Sequence, residues 1–209
     1  MSFFLEFIRS PLTVGAVAPS GPALARTVTA AVPATGSPVV VELGPGTGSF
    51  TAAIQHRLAG RGRHIAVELN PRFARDLAVR HPTVDVVHAD AADLASVLAQ
   101  RGLGQADAVV SGLPWAAFAE EYQRDVLSAV VAALPAHGTF TTFAYVHTRW
   151  APPARRLLRG LRSRFDEVVI GRTVWANLPP ALVYGCRRPN VVPVRPDVEE
   201  IRLVTAARH

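Results

Sequence analysis

The stretch Val39-Val40-Val41-Glu42-Leu43-Gly44-Pro45-Gly46-Thr47-Gly48-Ser49-Phe50 decides the fold. Three β-branched residues run into a glycine-rich turn, and a helical pattern begins at Ser49. A short apolar run of this kind marks a strand buried in a parallel sheet. The glycines let the backbone turn sharply and approach a ligand with no Cβ in the way. The helix after the turn offers unpaired N–H groups and the positive end of its dipole.

The spacing of Gly44, Gly46 and Gly48 is G-x-G-x-G, whereas the dinucleotide fingerprint is G-x-G-x-x-G. Glu42 stands two residues before the first glycine, where its carboxylate is expected to face the ligand. A carboxylate there would repel a pyrophosphate but suits the cationic amino group of S-adenosylmethionine. The pattern resembles motif I of the class I S-adenosylmethionine-dependent methyltransferases. The alternatives are a strand–turn–helix with no ligand and a nicotinamide or flavin site. Ile65-Ala66-Val67-Glu68 reads as a second strand ending in an acid. From that position a carboxylate accepts hydrogen bonds from a ribose diol, and Leu69 is grouped with it at the cofactor.

Length and composition bound the reading. With 209 residues the chain is most simply one domain with a real core. Its 49% hydrophobic and 18% charged residues fit a globular protein. The net charge is +6, and all the basic side chains other than His are Arg. Such a surface suits nucleic acid or an anionic membrane, and charge alone does not choose between them. One cysteine, Cys186, excludes an internal disulfide and fits a reducing, cytoplasmic compartment. It lies in the apolar run Leu182–Cys186 and reads as a buried thiol. No apolar run approaches a transmembrane length, and Glu6, Arg9 and Pro11 break up any signal-peptide core.

Residues 2 to 9 carry Phe3, Phe4, Phe7 and Ile8 at helical spacing. This short amphipathic helix either packs on the domain or serves as a lid or membrane-surface anchor. Loop formers follow from Pro11 to Pro22, then a helix over Ala23 to Ala31 with Ser20 as N-cap. The order FxxFxxxPxxVGAVAPSG (Phe4 to Gly21) ahead of the glycine motif resembles the bacterial phospholipid N-methyltransferases, which are similar in turn to the ribosomal RNA adenine dimethylases. The resemblance covers most of residues 3 to 186. It implies a segment that folds over the cofactor, with Val17 and Ser20 at the pocket and Phe4 towards the acceptor.

Beyond the first motif the chain alternates. Helices are expected at Ser49–Leu58, from Asn70-Pro71 onward with Asn70 as N-cap, at Asp93–Gln100 and at Phe118–Ala133. Strands are expected at Val84–His88, Ala106–Val110 and Gly138–Val146, with antiparallel strands at Val168–Trp175 and Ala181–Cys186. The fold class is therefore α/β, a Rossmann-like class I methyltransferase with a seven-stranded, mostly parallel sheet, helices on both faces and an N-terminal helical lid. The expected division is a lid or membrane-contact segment over 1–36, a catalytic core over 37–188 and an extension over 189–209, to which no function is assigned. Ligands bind at the carboxyl ends of such strands. In the superfamily an acid after strand three takes the adenine amino group, which points to Asp90, with Ala91 beside it.

The loop Ser111-Gly112-Leu113-Pro114-Trp115 discriminates between acceptors. Adenine N6 methyltransferases carry Asn or Asp followed by Pro-Pro-aromatic here, to grip the amine and stack on a flipped base. This chain lacks the amide or acid, and "SGLP" is the form the phospholipid family implies. Asn177-Leu178-Pro179-Pro180-Ala181 matches that family's N-x-PPA stretch. Arg155, Arg159 and Arg162 stripe one face of a helix from about Pro153 to Arg164, a solvated face or a surface for lipid headgroups.

The resemblance implies transfer of a methyl group from S-adenosylmethionine to the amine of an aminophospholipid such as phosphatidylethanolamine. Ser111, Tyr145 and His147 are the candidate catalytic groups, and Ser111 also borders the cofactor. Leu113, Pro114, Trp115, Phe118, Tyr145, Arg149 and Asn177 are the candidates for the acceptor, Arg149 for its phosphate. Aromatic faces would hold a growing quaternary ammonium. No metal is expected, nucleic acid is disfavoured, and a monomer working at an anionic membrane surface, peripheral on its inner face, is anticipated. An RNA or small-molecule methyltransferase and a non-catalytic cofactor-binding protein are the competing readings.

Overall fold

A computed structural model describes residues 20–190. Its centre is one seven-stranded sheet in the order β3-β2-β1-β4-β5-β7-β6. The strands are β1 (Val39–Leu43), β2 (Arg63–Glu68), β3 (Asp85–His88), β4 (Ala108–Ser111), β5 (Thr139–Tyr145), β6 (Phe165–Ile170) and β7 (Ala181–Pro189). The first five pair in parallel, and β7 lies antiparallel between β5 and β6. Sequence order reverses between β1 and β4, so the loops after these two strands open the crevice where ligands of such sheets bind.

Each face is covered because the central strands are apolar on both sides. One face of β1 carries Val41 and Leu43. It packs with Ile65 and Val67 under α4 (Leu94–Ala99), α5 (Glu120–Ala132) and α6 (Pro152–Arg162). The other carries Val40 and packs with Ala108, Val110, Ala181 and Val183 under α1 (Pro22–Val28) and α2 (Ser49–Leu58). The remaining helix, α3 (Pro71–Arg80), covers Ala66 with Leu77.

Several ends differ from the sequence reading. Helix α1 starts at Pro22, its N-cap is Gly21 and not Ser20, and no side chain caps it. Leu24, Ala25 and Val28 are buried in the core, so the described part of the 1–36 segment is a core helix. Phe4 and Val17 lie outside the described residues, as do the amphipathic stretch 2–9 and most of the C-terminal extension. Ala91–Asp93 form a 3-10 turn before α4, and Trp115–Ala117 another before α5, because each chain must first turn off the sheet. Strand β6 begins at Phe165, where Phe165 pairs with Pro189, and ends at Ile170. Asn70 does cap α3, accepting from the N–H groups of Arg72 (2.9 Å) and Phe73 (3.4 Å), with Pro71 in the first turn.

Candidate active site

The carboxyl ends of β1, β2 and β4 meet at the glycine loop. Gly44 and Gly46 have φ of +67° and +53°, and the space where a Cβ of Gly46 would stand is open. An L side chain is strained in that conformation, so the loop can keep its shape and its bare backbone only with glycine. The β4 loop closes against it: a Cβ on Gly112 would come within 2.7 Å of the Gly44 carbonyl oxygen.

Glu68, at the end of β2, is tied to this loop. Its Oε2 accepts from the Gly46 N–H (3.0 Å) and its Oε1 from the Asn70 N–H (2.8 Å). Burial pushes its carboxyl above the ordinary carboxylate range, against the pull of these backbone donors and aided by the nearby charge of Glu42. Glu68 and Glu42 are thus two buried carboxylates on neighbouring strands, of which Glu68 is bonded to the glycine loop. Leu69 follows, with its carbonyl 3.1 Å from His88 Nε2.

Glu42 is not aimed outward as the sequence reading has it. It is 0% exposed, and its Oε2 accepts from Thr51 Oγ1 at 2.7 Å. His64 Nε2 stands 3.2 Å from the same oxygen but off hydrogen-bonding geometry, and the His64 ring is held by Gln55 through Nδ1 at 2.9 Å. Among the described residues the other oxygen, Oε1, is buried with no hydrogen-bond partner. Such a group is costly to leave unsatisfied, and it fits a ligand that brings an N–H or a cation to the loop. Thr51 and His64 escaped the sequence reading. Their signal is modest: a hydroxyl on the inner face of α2, and a ring at an inward position of β2.

Asp90 follows β3. Its Oδ1 accepts from the Ala92 N–H (2.8 Å), capping the 3-10 turn, and from the Tyr122 hydroxyl (2.7 Å). Burial and the Asp90 charge hold Tyr122 far above the usual phenol range, so it stays a neutral donor. Ala91 is buried beside them.

The β4 loop requires the clearest correction. Ser111 is 0% exposed. Its Oγ accepts from the Leu113 N–H (3.3 Å) and from Trp115 Nε1 (3.2 Å). Trp115 Nε1 also donates to Thr142 Oγ1 at 2.8 Å, and the ring is 3% exposed, edge-on to Phe118 and Phe140. Gln123 Nε2 donates to the Trp115 carbonyl at 2.6 Å. Ser111, Trp115 and Phe118 therefore hold the loop from beneath, with their side chains buried among the described residues. The sequence reading expects Trp115 and Phe118 to offer faces to a quaternary ammonium; here the indole N–H finds buried partners, and the ring is worth more in the core. Leu113 and Pro114 remain half-exposed on the loop, with Leu113 against Gly44.

At the end of β5 an aromatic row runs along the α1/α2 face. Phe50 meets Phe143 edge-on (5.7 Å), Phe143 meets Tyr145 (5.4 Å), and Tyr145 stacks on His147 (5.8 Å, 15°). Burial raises the Tyr145 phenol, so it is neutral at physiological pH. His147 and Arg149 are exposed. Asn177 is buried and structural: its Oδ1 accepts from the Gly21 N–H (2.8 Å) and its Nδ2 donates to the Pro179 carbonyl (2.7 Å). It fixes the start of α1 to the β6–β7 loop, with both polar atoms of its side chain engaged in that brace. Among the described residues no group of three or more His, Cys, Asp or Glu could hold a metal ion. Nor is any helix among them long and apolar enough to cross a membrane.

Comparisons with known proteins add the following. The ornithine lipid N-methyltransferase of Singulisphaera acidiphila is 40% identical over 194 residues, spanning 88% of this chain and 95% of that protein. Among solved structures, TrmN from Thermus thermophilus aligns with 88% of this chain at a TM-score of 0.57 and 16% identity. The present chain spans about half, 52%, of that structure's length. Aeropyrum pernix fibrillarin, solved with natively bound S-adenosyl-L-methionine, aligns with 77% of this chain and 72% of its own at a TM-score of 0.57 and 17% identity. These structural likenesses establish the shared fold. No protein-family model matches the chain.

Proposed function

Since the chain belongs to the bacterial phospholipid N-methyltransferase family, S-adenosylmethionine-dependent enzymes of class I, we propose that it methylates the primary amine of a membrane aminolipid. The relative at 40% identity carries an ornithine lipid in its name, which supports an ornithine-type head as acceptor. Phosphatidylethanolamine is the second candidate. Both heads combine an amine with an anion, a carboxylate in one and a phosphate in the other.

The single observation that carries the reading is the β4 loop. With Ser111 Oγ engaged below and Trp115 in the core, the loop has neither the side-chain amide nor the exposed ring that a flipped base requires. An aliphatic amine needs only backbone carbonyls and a dry, shaped rim. The residues fit the cofactor as well. Glu68 would hold the ribose diol, Asp90 the adenine side, and the unpaired Glu42 Oε1 would meet the cationic amino-acid end near Gly44–Gly48.

S-adenosylmethionine supplies an already activated methyl group, so the protein's task is alignment and exclusion of water. The acceptor amine attacks as the free base and loses its proton to water before docking. Tyr145, neutral because it is buried, accepts a hydrogen bond from the amine and orients it. Arg149 takes the anionic part of the head in a bidentate grip. The test is kinetics on purified ornithine lipid and phosphatidylethanolamine. Arg149→Ala is expected to raise KM about tenfold or more, and Tyr145→Phe to lower kcat with KM little changed. Unchanged constants in both variants would discard the two roles.

A further inference from the structure

Strand β5 ends at Tyr145, which pairs with Ala181 at the start of β7, and β6 ends at Ile170 opposite Tyr184. Loops 146–151 and 171–180 therefore leave the sheet on one edge, the edge that also carries the glycine loop. On this edge stand Trp150, Trp175 and Leu178, exposed by 69%, 74% and 82%. Val169 and Ile170 extend the same end of β6 into water. Single exposed apolar residues are ordinary, but two tryptophans and a leucine grouped on the rim of a site are not.

The charge around them is one-sided. Neither loop contains an acid, and both contain an exposed arginine, Arg149 and Arg172. From residue 126 through 190 there are nine arginines against Asp166 and Glu167, and those two acids lie at the opposite end of β6. The acids that open α5 on this rim include Glu120, whose Oε2 lies 3.8 Å from Arg156 Nε. The Arg149 guanidinium sits 4.4 Å over the Trp150 ring, an arrangement that leaves the ring's far face and the cation's outer edge for different neighbours. Asn177 braces the second loop against Gly21 and Pro179, so the tip bearing Leu178 is presented on a fixed support.

We propose that this edge is a membrane-docking surface: Trp150, Trp175 and Leu178 enter the headgroup–acyl boundary of an anionic bilayer while Arg172 lies on its phosphates. Tryptophan suits that depth because its body is apolar and its N–H is polar, and cations beside it gain from the negative surface potential. The inference rests on the aminolipid reading for its occupant. An enzyme whose acceptor amine stays in the bilayer must lay its rim on the interface.

The experiment uses the full chain and vesicles of phosphatidylcholine with about one-third phosphatidylglycerol. Trp175→Ala/Leu178→Ala and Arg172→Ala are compared with the wild type by co-sedimentation, alongside S-adenosylmethionine binding and turnover of detergent-dispersed aminolipid. The double variant is expected to lose partitioning by about tenfold or more, and the charge variant to lose it chiefly at low salt. Both should keep cofactor binding and dispersed turnover. In a second measurement, phospholipids brominated near the headgroup should quench the wild type's tryptophan emission. Full partitioning by the double variant, or tryptophan emission that brominated lipid leaves untouched, would overturn the proposal. A wild type that partitions through this edge but methylates no aminolipid would leave the docking surface standing and remove the aminolipid reading instead.

Discussion

Glu68 combines a stability cost with the ribose-binding role proposed for it. Burial raises its pKa, so the folded state holds the proton more tightly than the unfolded chain. The stability attributable to this group is then fullest below the ordinary value of 4.5 and declines as pH rises through the raised value. Glu68→Gln keeps one acceptor for the Gly46 or Asn70 N–H and removes that slope. It is expected to melt at the wild-type temperature or a few degrees above it at pH 7, while losing most of the upward shift that S-adenosylmethionine gives the wild type. Thermal melts with and without cofactor decide this; a variant that is weaker alone yet fully stabilised by cofactor would contradict the assignment. Cys186 makes a simpler case. It is buried, and burial pushes its thiol up to about 12. A thiol reagent at pH 8 should label it only as the protein unfolds, and rapid labelling of the folded protein would show that β7 opens locally.

At the scale of elements, two loops from separate strands share one geometry. The β1 loop and the β4 loop approach so closely that an alanine at Gly112 would press on the Gly44 carbonyl. The obstructing atom is backbone, so the loops must part. Gly112→Ala is expected to cost about 1–3 kcal/mol of stability and to weaken cofactor binding in calorimetric titration, since the Gly44–Gly46 turn would move with it. Unchanged affinity would mean that the turn is not the cofactor's support. The cap of α3 is separable from this. Removing the Asn70 side chain (Asn70→Ala) takes away the acceptor for two N–H groups and should cost about 1 kcal/mol in denaturant unfolding, whereas its backbone N–H, which holds Glu68, remains.

For the molecule as a whole, the parallel half of the sheet is legible in the sequence because β1, β2 and β4 are covered on both faces and must be apolar throughout. Glycine spacing and strand-end acids then locate the rim. The other half is less legible. Strand β6 lies at the sheet's edge, and its opening Phe165-Asp166-Glu167 is half polar, so periodicity starts it three residues late. The position of the strand-end acids is legible: Glu68 closes β2, and Asp90 follows β3 as the cap of the next turn. The site is illegible where direction matters. A strand residue's face follows from register, and Glu42, two places from Val40, shares Val40's buried side of the sheet. Ser111 and Trp115 likewise find partners on β5, thirty residues on, that no local pattern announces.

The chemical event proposed for this molecule is the passage of a methyl group from S-adenosylmethionine to a lipid nitrogen. Incubation of the full chain with methyl-labelled cofactor and a total lipid extract, followed by identification of the labelled product, tests it most directly. The account predicts label on the headgroup nitrogen of an aminolipid, and loss of that label when the extract is first depleted of aminolipids. Label in RNA added to the same mixture, with the lipids left unlabelled, would contradict it.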